Sequence, residues 1–103
     1  MLHDNLRPTM RNAYWIHVIK ADSGPDAYTI ALSGAPERGN FDGPLPTVNY
    51  ATWQRLSEAL SNVGVPESVL KQTKADLDSQ GFHTVGGVVL SVGQIASLGF
   101  TGL

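Results

Sequence analysis

Three histidines are the residues in this sequence that could support acid–base or metal chemistry. His17 and His83 fall in separate segments with strand character, and His3 lies near the start of the sequence. Because histidine titrates near neutral pH, His17 and His83 could form a reactive pair if their strands are neighbours, with Asp22 orienting one ring. The simpler interpretation, which we favour, makes both of them half-exposed strand residues. No two histidines have the local spacing of a metal-ligand pair, so we predict no metal site.

The aspartates are ambiguous in the same way. Asp76 and Asp78 lie two positions apart in a helical segment and point away from one another, so we expect them on a solvated face. Asp22 and Asp26 flank a Gly-Pro turn, where the alternating oxygen ligands of a calcium loop are incomplete. The sequence has no nucleophile elbow, phosphate loop or dinucleotide fingerprint. It also has no cysteine. Because none of these patterns is present, we predict no catalytic residue and no cofactor.

The elements that position these side chains belong to one small folded domain. The 103 residues are 42% hydrophobic and 16% charged, which supplies enough apolar side chain for a core and too little charge for a disordered chain. Residues 1–12 are polar and show no periodicity, so we expect a flexible N-terminal arm there. A single α+β domain over residues 13–103 follows.

Strand patterns flank a long loop. Apolar side chains alternate on both faces of residues 13–19, which predicts a central strand, and residues 27–33 alternate again after a turn, which predicts an antiparallel hairpin. Residues 34–47 contain three prolines and three glycines and read as the loop. We expect a third strand over residues 82–90, with a bulge or tight turn at Gly86-Gly87 and a place at either edge of the sheet.

Two amphipathic helices fill residues 48–81. We expect Asn49 to cap the first helix, which ends at Gly64, and Pro66 to open the second, which ends at Gly81. The apolar stripes that define them comprise Tyr50, Trp53, Leu56, Leu60 and Val63, then Val69, Leu70, Thr73 and Leu77. Ser91 can cap a short last helix through Leu98, and a strand through Ile95 is the alternative.

The predicted fold is therefore α+β. It comprises a small, mainly antiparallel sheet of about three strands, two central amphipathic helices packed on one face, and a short C-terminal helix.

Residues 60–78 also resemble a bacterial helix-turn-helix. Leu60, Gly64, Val65 and Leu70 have a similar spacing, and the resemblance implies a second helix that enters the major groove of DNA. That helix would carry three carboxylates beside only Lys71 and Lys74. The carboxylates would repel phosphate, so the charge pattern argues against DNA as the partner.

Net charge and hydropathy restrict the partners further. The net charge is −2 and the basic residues are scattered, so we predict no nucleic-acid partner. No apolar run approaches the roughly 20 residues needed to span a bilayer, and the start of the sequence lacks a signal-peptide pattern. We therefore expect a cytoplasmic protein that does not interact with membranes, and secretion by a route without a signal remains the alternative.

Aromatic residues and the long loop offer two candidate binding surfaces. One contains Trp15 and Ile19, if that side of the sheet is exposed. Trp15 and Trp53 are, however, regularly spaced among apolar neighbours, which favours core positions for both tryptophans. The other is the loop with Glu37, Arg38, Phe41 and Asp42. We predict a small non-enzymatic interaction or regulatory module that binds a protein partner or itself, and the sequence identifies no small-molecule ligand. A small enzyme that uses His17 and Asp22 and a helix-turn-helix regulator are the alternatives.

Overall fold

The computed structural model describes residues 13–22, 24, 26–34 and 47–100. In chain order the elements are β1 (Ala13–Lys20), β2 (Tyr28–Ser33), β3 (Thr47–Tyr50), α1 (Trp53–Asn62), α2 (Glu67–Gln80), β4 (Phe82–Val89) and α3 (Val92–Ser97). The strands form one antiparallel sheet in the order β3-β2-β1-β4. The predicted α+β class is confirmed, and the sheet has one strand more than the three expected.

Strand β1 occupies the middle of the sheet because it is apolar on both faces. It pairs with β2 in the predicted hairpin, with Ile16 opposite Leu32. Its other edge pairs with β4, with Ile16 opposite Val85, so the strand order that the sequence left open is settled. A register shift next to Trp15 confirms the bulge predicted at Gly86-Gly87.

The core lies between one face of the sheet and the helices. Alternate residues of β1 and β2 are buried there against α1 and α2, as the period of two requires. Leu56 and Leu60 of α1 are fully buried, and the predicted stripe of α2 is also confirmed, with Leu70, Thr73 and Leu77 buried. Thr73 satisfies its buried hydroxyl by donating to the Val69 carbonyl at 2.7 Å.

The predicted start of the first helix is wrong. Asn49 lies in β3, and α1 begins at Trp53 after Thr52, whose hydroxyl accepts a hydrogen bond from the Arg55 amide at 3.2 Å. Four residues are enough for an edge strand here, because Val48 and Tyr50 turn toward the core and pair with β2. Pro66 is the residue before α2 instead of its first residue.

The short C-terminal helix is confirmed, and the strand alternative is not observed. Ser91 and Gln94 form a reciprocal capping box. Gly99 has φ +107°, and the Phe100 amide bonds the Ile95 carbonyl in a Schellman ending. The Tyr50 hydroxyl donates to the Leu98 carbonyl at 2.6 Å, which connects this helix to β3.

Candidate protein-binding face

The face of the sheet opposite the helices is the most distinctive surface of the described residues. We call it the open face, and it consists of the side chains that alternate with the buried ones. Its members are Trp15, His17, Ile19, Thr29, Ser33, Thr47, Asn49, Phe82 and Thr84, together with Ala31, which is itself buried. Because successive strand residues point to opposite sides, the same alternation that builds the core also assembles this face.

The half of the open face formed by β1 and β4, which we call the apolar half, carries the large apolar side chains of this face. Trp15 and Ile19 are each 49% exposed and Phe82 is 56% exposed. Ile19 lies directly opposite Phe82 in the register of the two strands, so their side chains are neighbours. Exposed Val89 and Val92 follow at the far end of β4. Every large apolar side chain exposed in the described part of the chain therefore belongs to β1, to β4 or to the residues just after β4.

Trp15 is held in place by the bulge in β4. A Cβ atom added to Gly86 would lie 2.2 Å from Cζ3 of the indole, so the ring rests directly on the glycine backbone. Gly87 has a backbone φ of +65°, which residues other than glycine rarely adopt. Core placement of Trp15 is therefore wrong: one side of the ring packs on backbone and about half of its surface meets solvent. Trp53 is half-buried and contacts Tyr28 edge to face, with ring centroids 5.7 Å apart.

Polar groups separate the two ends of the apolar half. The Nε2 atom of His17 lies 2.9 Å from the Ser33 hydroxyl, and its Nδ1 atom lies 3.2 Å from the Thr84 hydroxyl. A hydroxyl can donate or accept, so both contacts suit either neutral tautomer of the ring. Nearby, Thr29 donates to the Asn49 side-chain oxygen at 2.8 Å. The face thus combines apolar area with a central row of hydrogen-bonding groups.

The acid–base pair that the sequence suggested does not form. Both hydrogen bonds of the His17 ring go to hydroxyl groups of neighbouring strands, and Asp22 is exposed beyond the end of β1. His83 lies opposite Val18, whose neighbour His17 points to the other face of the sheet. Although β1 and β4 are adjacent, as the hypothesis required, the rings are on opposite sides of the sheet and do not meet.

His83 pairs instead with Asp76, a contact that sequence reasoning missed. Its Nδ1 atom lies 2.7 Å from an Asp76 carboxylate oxygen, and Gln72 donates to the other oxygen at 2.9 Å. These hydrogen bonds, first from Gln72 and then from His83, lower the pKa of Asp76 below its ordinary value of 3.8. The signal in the sequence was Gly81, which reverses the chain and returns the second residue of β4 to the last turns of α2. Asp76 is therefore not simply part of a solvated face.

A groove of about 580 Å³ lies between α1 and α2. Its lining combines Trp53 and Leu70 with the Lys74–Asp78 ion pair, in which nitrogen and oxygen are 2.9 Å apart. Nearby, Asp26 accepts hydrogen bonds from the Tyr28 hydroxyl and the Trp53 amide. Burial raises the pKa of Tyr28, and the hydrogen bond to Asp26 raises it further. The contacts attach the turn after β1 to the start of α1, and the groove contains no histidine.

The remaining predicted site residues Glu37, Arg38, Phe41 and Asp42, as well as the predicted arm over residues 1–12, lie outside the described residues. Within the described ranges, no three metal-ligating side chains are close enough to hold an ion. None of the helices described has the length and apolarity needed to cross a membrane.

Compared with known proteins, the chain matches no family model, no curated protein and no solved structure. We therefore infer its function from its own geometry.

Proposed function

We propose that the chain is a small non-enzymatic module that binds a protein partner through the apolar half of its open face. One observation carries this proposal. The large apolar side chains exposed in the described residues are Trp15, Ile19, Phe82, Val89 and Val92. The first four lie on the paired strands β1 and β4, and Val92 begins α3. Scattered apolar residues are normal on a surface, whereas a cluster of them marks an interaction site.

The chemistry of the face suits a protein more than a small molecule. Trp15 offers a large, rigid ring that packing on Gly86 fixes in advance, so binding costs little side-chain entropy. His17, Ser33 and Thr84 supply hydrogen-bonding groups beside it. The face is the pleated surface of a sheet, and apolar area with a few polar groups is what protein interfaces use.

The alternative functions draw less support from the geometry. An enzyme would need its histidine and carboxylate to face a pocket, and the paired His83 and Asp76 line neither the groove between the helices nor the recess beside β4. A DNA-binding α2 would need free positive charge. Lys74 is already paired with Asp78, and Glu67 and Asp76 add negative charge on the same helix.

The test compares three immobilised proteins as baits in a cell extract. They are the wild type, the face variant Trp15→Ala/Ile19→Ala, and the control variant Gln54→Ala/Ser68→Ala, which changes two exposed helix positions. Bound proteins are identified by mass spectrometry and then purified. Calorimetry with the purified partner should show binding to the wild type and the control, and affinity about thirtyfold weaker for the face variant, because a buried tryptophan anchor contributes about 2 kcal/mol.

A partner that binds all three baits equally would contradict the proposal. Circular dichroism of the face variant must match the wild type, so that lost binding reports the surface and not the fold. Failure to recover a partner with any bait, together with no self-association of the purified chain, would also count against it.

A further inference from the structure

The outer edge of β4 carries backbone groups that have no strand partner among the described residues. β4 is the last strand in the order β3-β2-β1-β4, so only its inner edge pairs, with β1. It is eight residues long, against four for β3 at the opposite edge. Such an edge presents a row of N–H and C=O groups that another strand can join.

The side chains of β4 do little to prevent such pairing. Natural edge strands are usually protected by lysine, other charges or proline. β4, with the sequence FHTVGGVV, contains none of these. Two features protect it in part. The Gln80 side chain donates to the Phe82 carbonyl at 3.1 Å, and the Gly86-Gly87 bulge interrupts the strand but leaves Phe82–Val85 regular on one side of it.

A recess of about 330 Å³, lined by apolar side chains, glycine and exposed backbone, accompanies this edge. It lies between the turn that joins α1 to α2 and the second half of β4. The residues that line it are Val63, Gly64, Val65, Pro66, Val69, Val85, Gly86, Gly87, Val88 and Val89. A strand added beside β4 would bring its core-side residues next to this recess, so the best occupant offers backbone hydrogen bonds together with apolar side chains.

We propose that this occupant is the β4 strand of a second copy of the chain, paired antiparallel about a two-fold axis. In an antiparallel two-fold pair each residue lies opposite its symmetry-related position, and a charge near the axis faces the same charge in the other copy. β4 has no Asp, Glu, Lys or Arg and therefore avoids this repulsion. The copy would also supply Val85 and Val88 on the core side, and its Phe82 would continue the apolar half of the open face across the joint. This inference goes beyond the proposed function, because the second copy joins the edge of β4 and leaves the apolar half of the open face exposed.

The experiment measures the mass of the full chain by sedimentation equilibrium over a range of concentrations. We expect a monomer–dimer equilibrium for the wild type. Thr84→Lys and Val89→Lys each place a like charge in both copies of the joint and should weaken dimerisation at least about tenfold. Gln54→Lys adds the same charge on α1 and should leave the dissociation constant unchanged. Hydrogen exchange of the wild type should show β4 amides that become protected as the concentration rises.

Three results would overturn the inference. A wild type that stays monomeric at every concentration would do so, as would a dimer that both edge variants leave intact. Protection of the outer β4 amides that does not depend on concentration would show that another segment of the same chain covers the edge. If the chain is monomeric but the Trp15→Ala/Ile19→Ala variant loses a purified partner that the wild type binds, the proposed function stands and only the inference about the β4 edge is wrong. Hydrogen exchange uses the wild type alone, so it decides even if a lysine variant fails to fold.

Discussion

At the scale of single residues, Gly86 is the position where sequence and site depend on each other most directly. The Trp15 ring occupies the space that a side chain at position 86 would need. Replacing this glycine therefore tests whether the ring is held as described.

Gly86→Ala should destabilise the protein and move Trp15 toward solvent. The added methyl group would lie 2.2 Å from the ring, and overpacking of this kind costs about 1–3 kcal/mol. Urea unfolding measures the cost, and tryptophan fluorescence in a Trp53→Phe background should shift to longer wavelength. Gly93→Ala is the control, because its new methyl group would lie 3.9 Å from the Ser91 hydroxyl oxygen, which is an ordinary van der Waals contact. Equal stability of the two variants would show that the ring does not rest on Gly86.

Asp76 gives a prediction about pH. Hydrogen bonds from Gln72 and His83 lower the pKa of this carboxyl in the folded protein below 3.8. A depressed carboxyl pKa stabilises the fold fully above the unfolded-state pKa, and the effect disappears as pH falls through the folded-state pKa. The wild type should therefore exceed Asp76→Asn in stability above about pH 4, and the difference should shrink on further acidification. Urea titrations at a series of pH values measure this difference, and a difference independent of pH would contradict the pairing.

At the scale of elements, one hydrogen bond joins β3 to the end of α3, beside the contact of Val48 with Gly99. The Tyr50 hydroxyl donates to the Leu98 carbonyl at the end of α3, and burial raises the pKa of this hydroxyl. Tyr50→Phe leaves the carbonyl without its donor, so the variant should lose about 1 kcal/mol. Amide exchange over residues 95–100 should quicken as the helix end loosens.

Tyr14→Phe is the matched control. Tyr14 is also in the core, but the structure gives its hydroxyl no hydrogen bond within the described residues. Its removal should therefore change the unfolding free energy by less than about 0.5 kcal/mol. A loss as large as that of Tyr50→Phe would mean that the Leu98 contact is not the cause.

The elements differ in how well the sequence predicts them. Strong periodicity was enough for β1, β2 and the presence of both central helices, and the capping residue Ser91 indicated α3, with a strand through Ile95 as the alternative. β3 could not be found, because Val48 and Tyr50 lie in a four-residue strand whose apolar positions also continue the stripe of the following helix. The open face was half predictable: alternation put Trp15 and Ile19 together, but Phe82 joins them only through the pairing of β4 with β1, which single-strand patterns do not encode.

At the scale of the whole molecule, the two faces of β1 have different roles: one face is buried in the core, and the other belongs to the proposed binding surface. Ile16 and Ile19 are the same residue type on one strand, yet Ile16 is fully buried and Ile19 is 49% exposed. Among the described residues, helices cover one face only, so the buried apolar side chains that stabilise the sheet lie on that face.

Ile16→Ala should therefore lower the free energy of unfolding by about 2–5 kcal/mol, as is typical of a core cavity. Ile19→Ala should lower it by less than about 1 kcal/mol, while weakening capture of the partner. Urea unfolding of the two variants is the measurement. Comparable losses of stability would indicate that the open face is packed against something in the folded monomer.

The bulge beneath Trp15 also restricts the register in which β4 can pair with β1. The indole packs on the backbone of Gly86, where a side chain would collide with the ring. The next residue, Gly87, has the left-handed conformation that favours glycine. If β4 slid by two residues, Thr84 or Val88 would lie under the ring, where a β-branched side chain has no room. Slipped arrangements of the strand are thereby excluded during folding, even though a uniformly neutral segment carries no charge pattern that could choose among them.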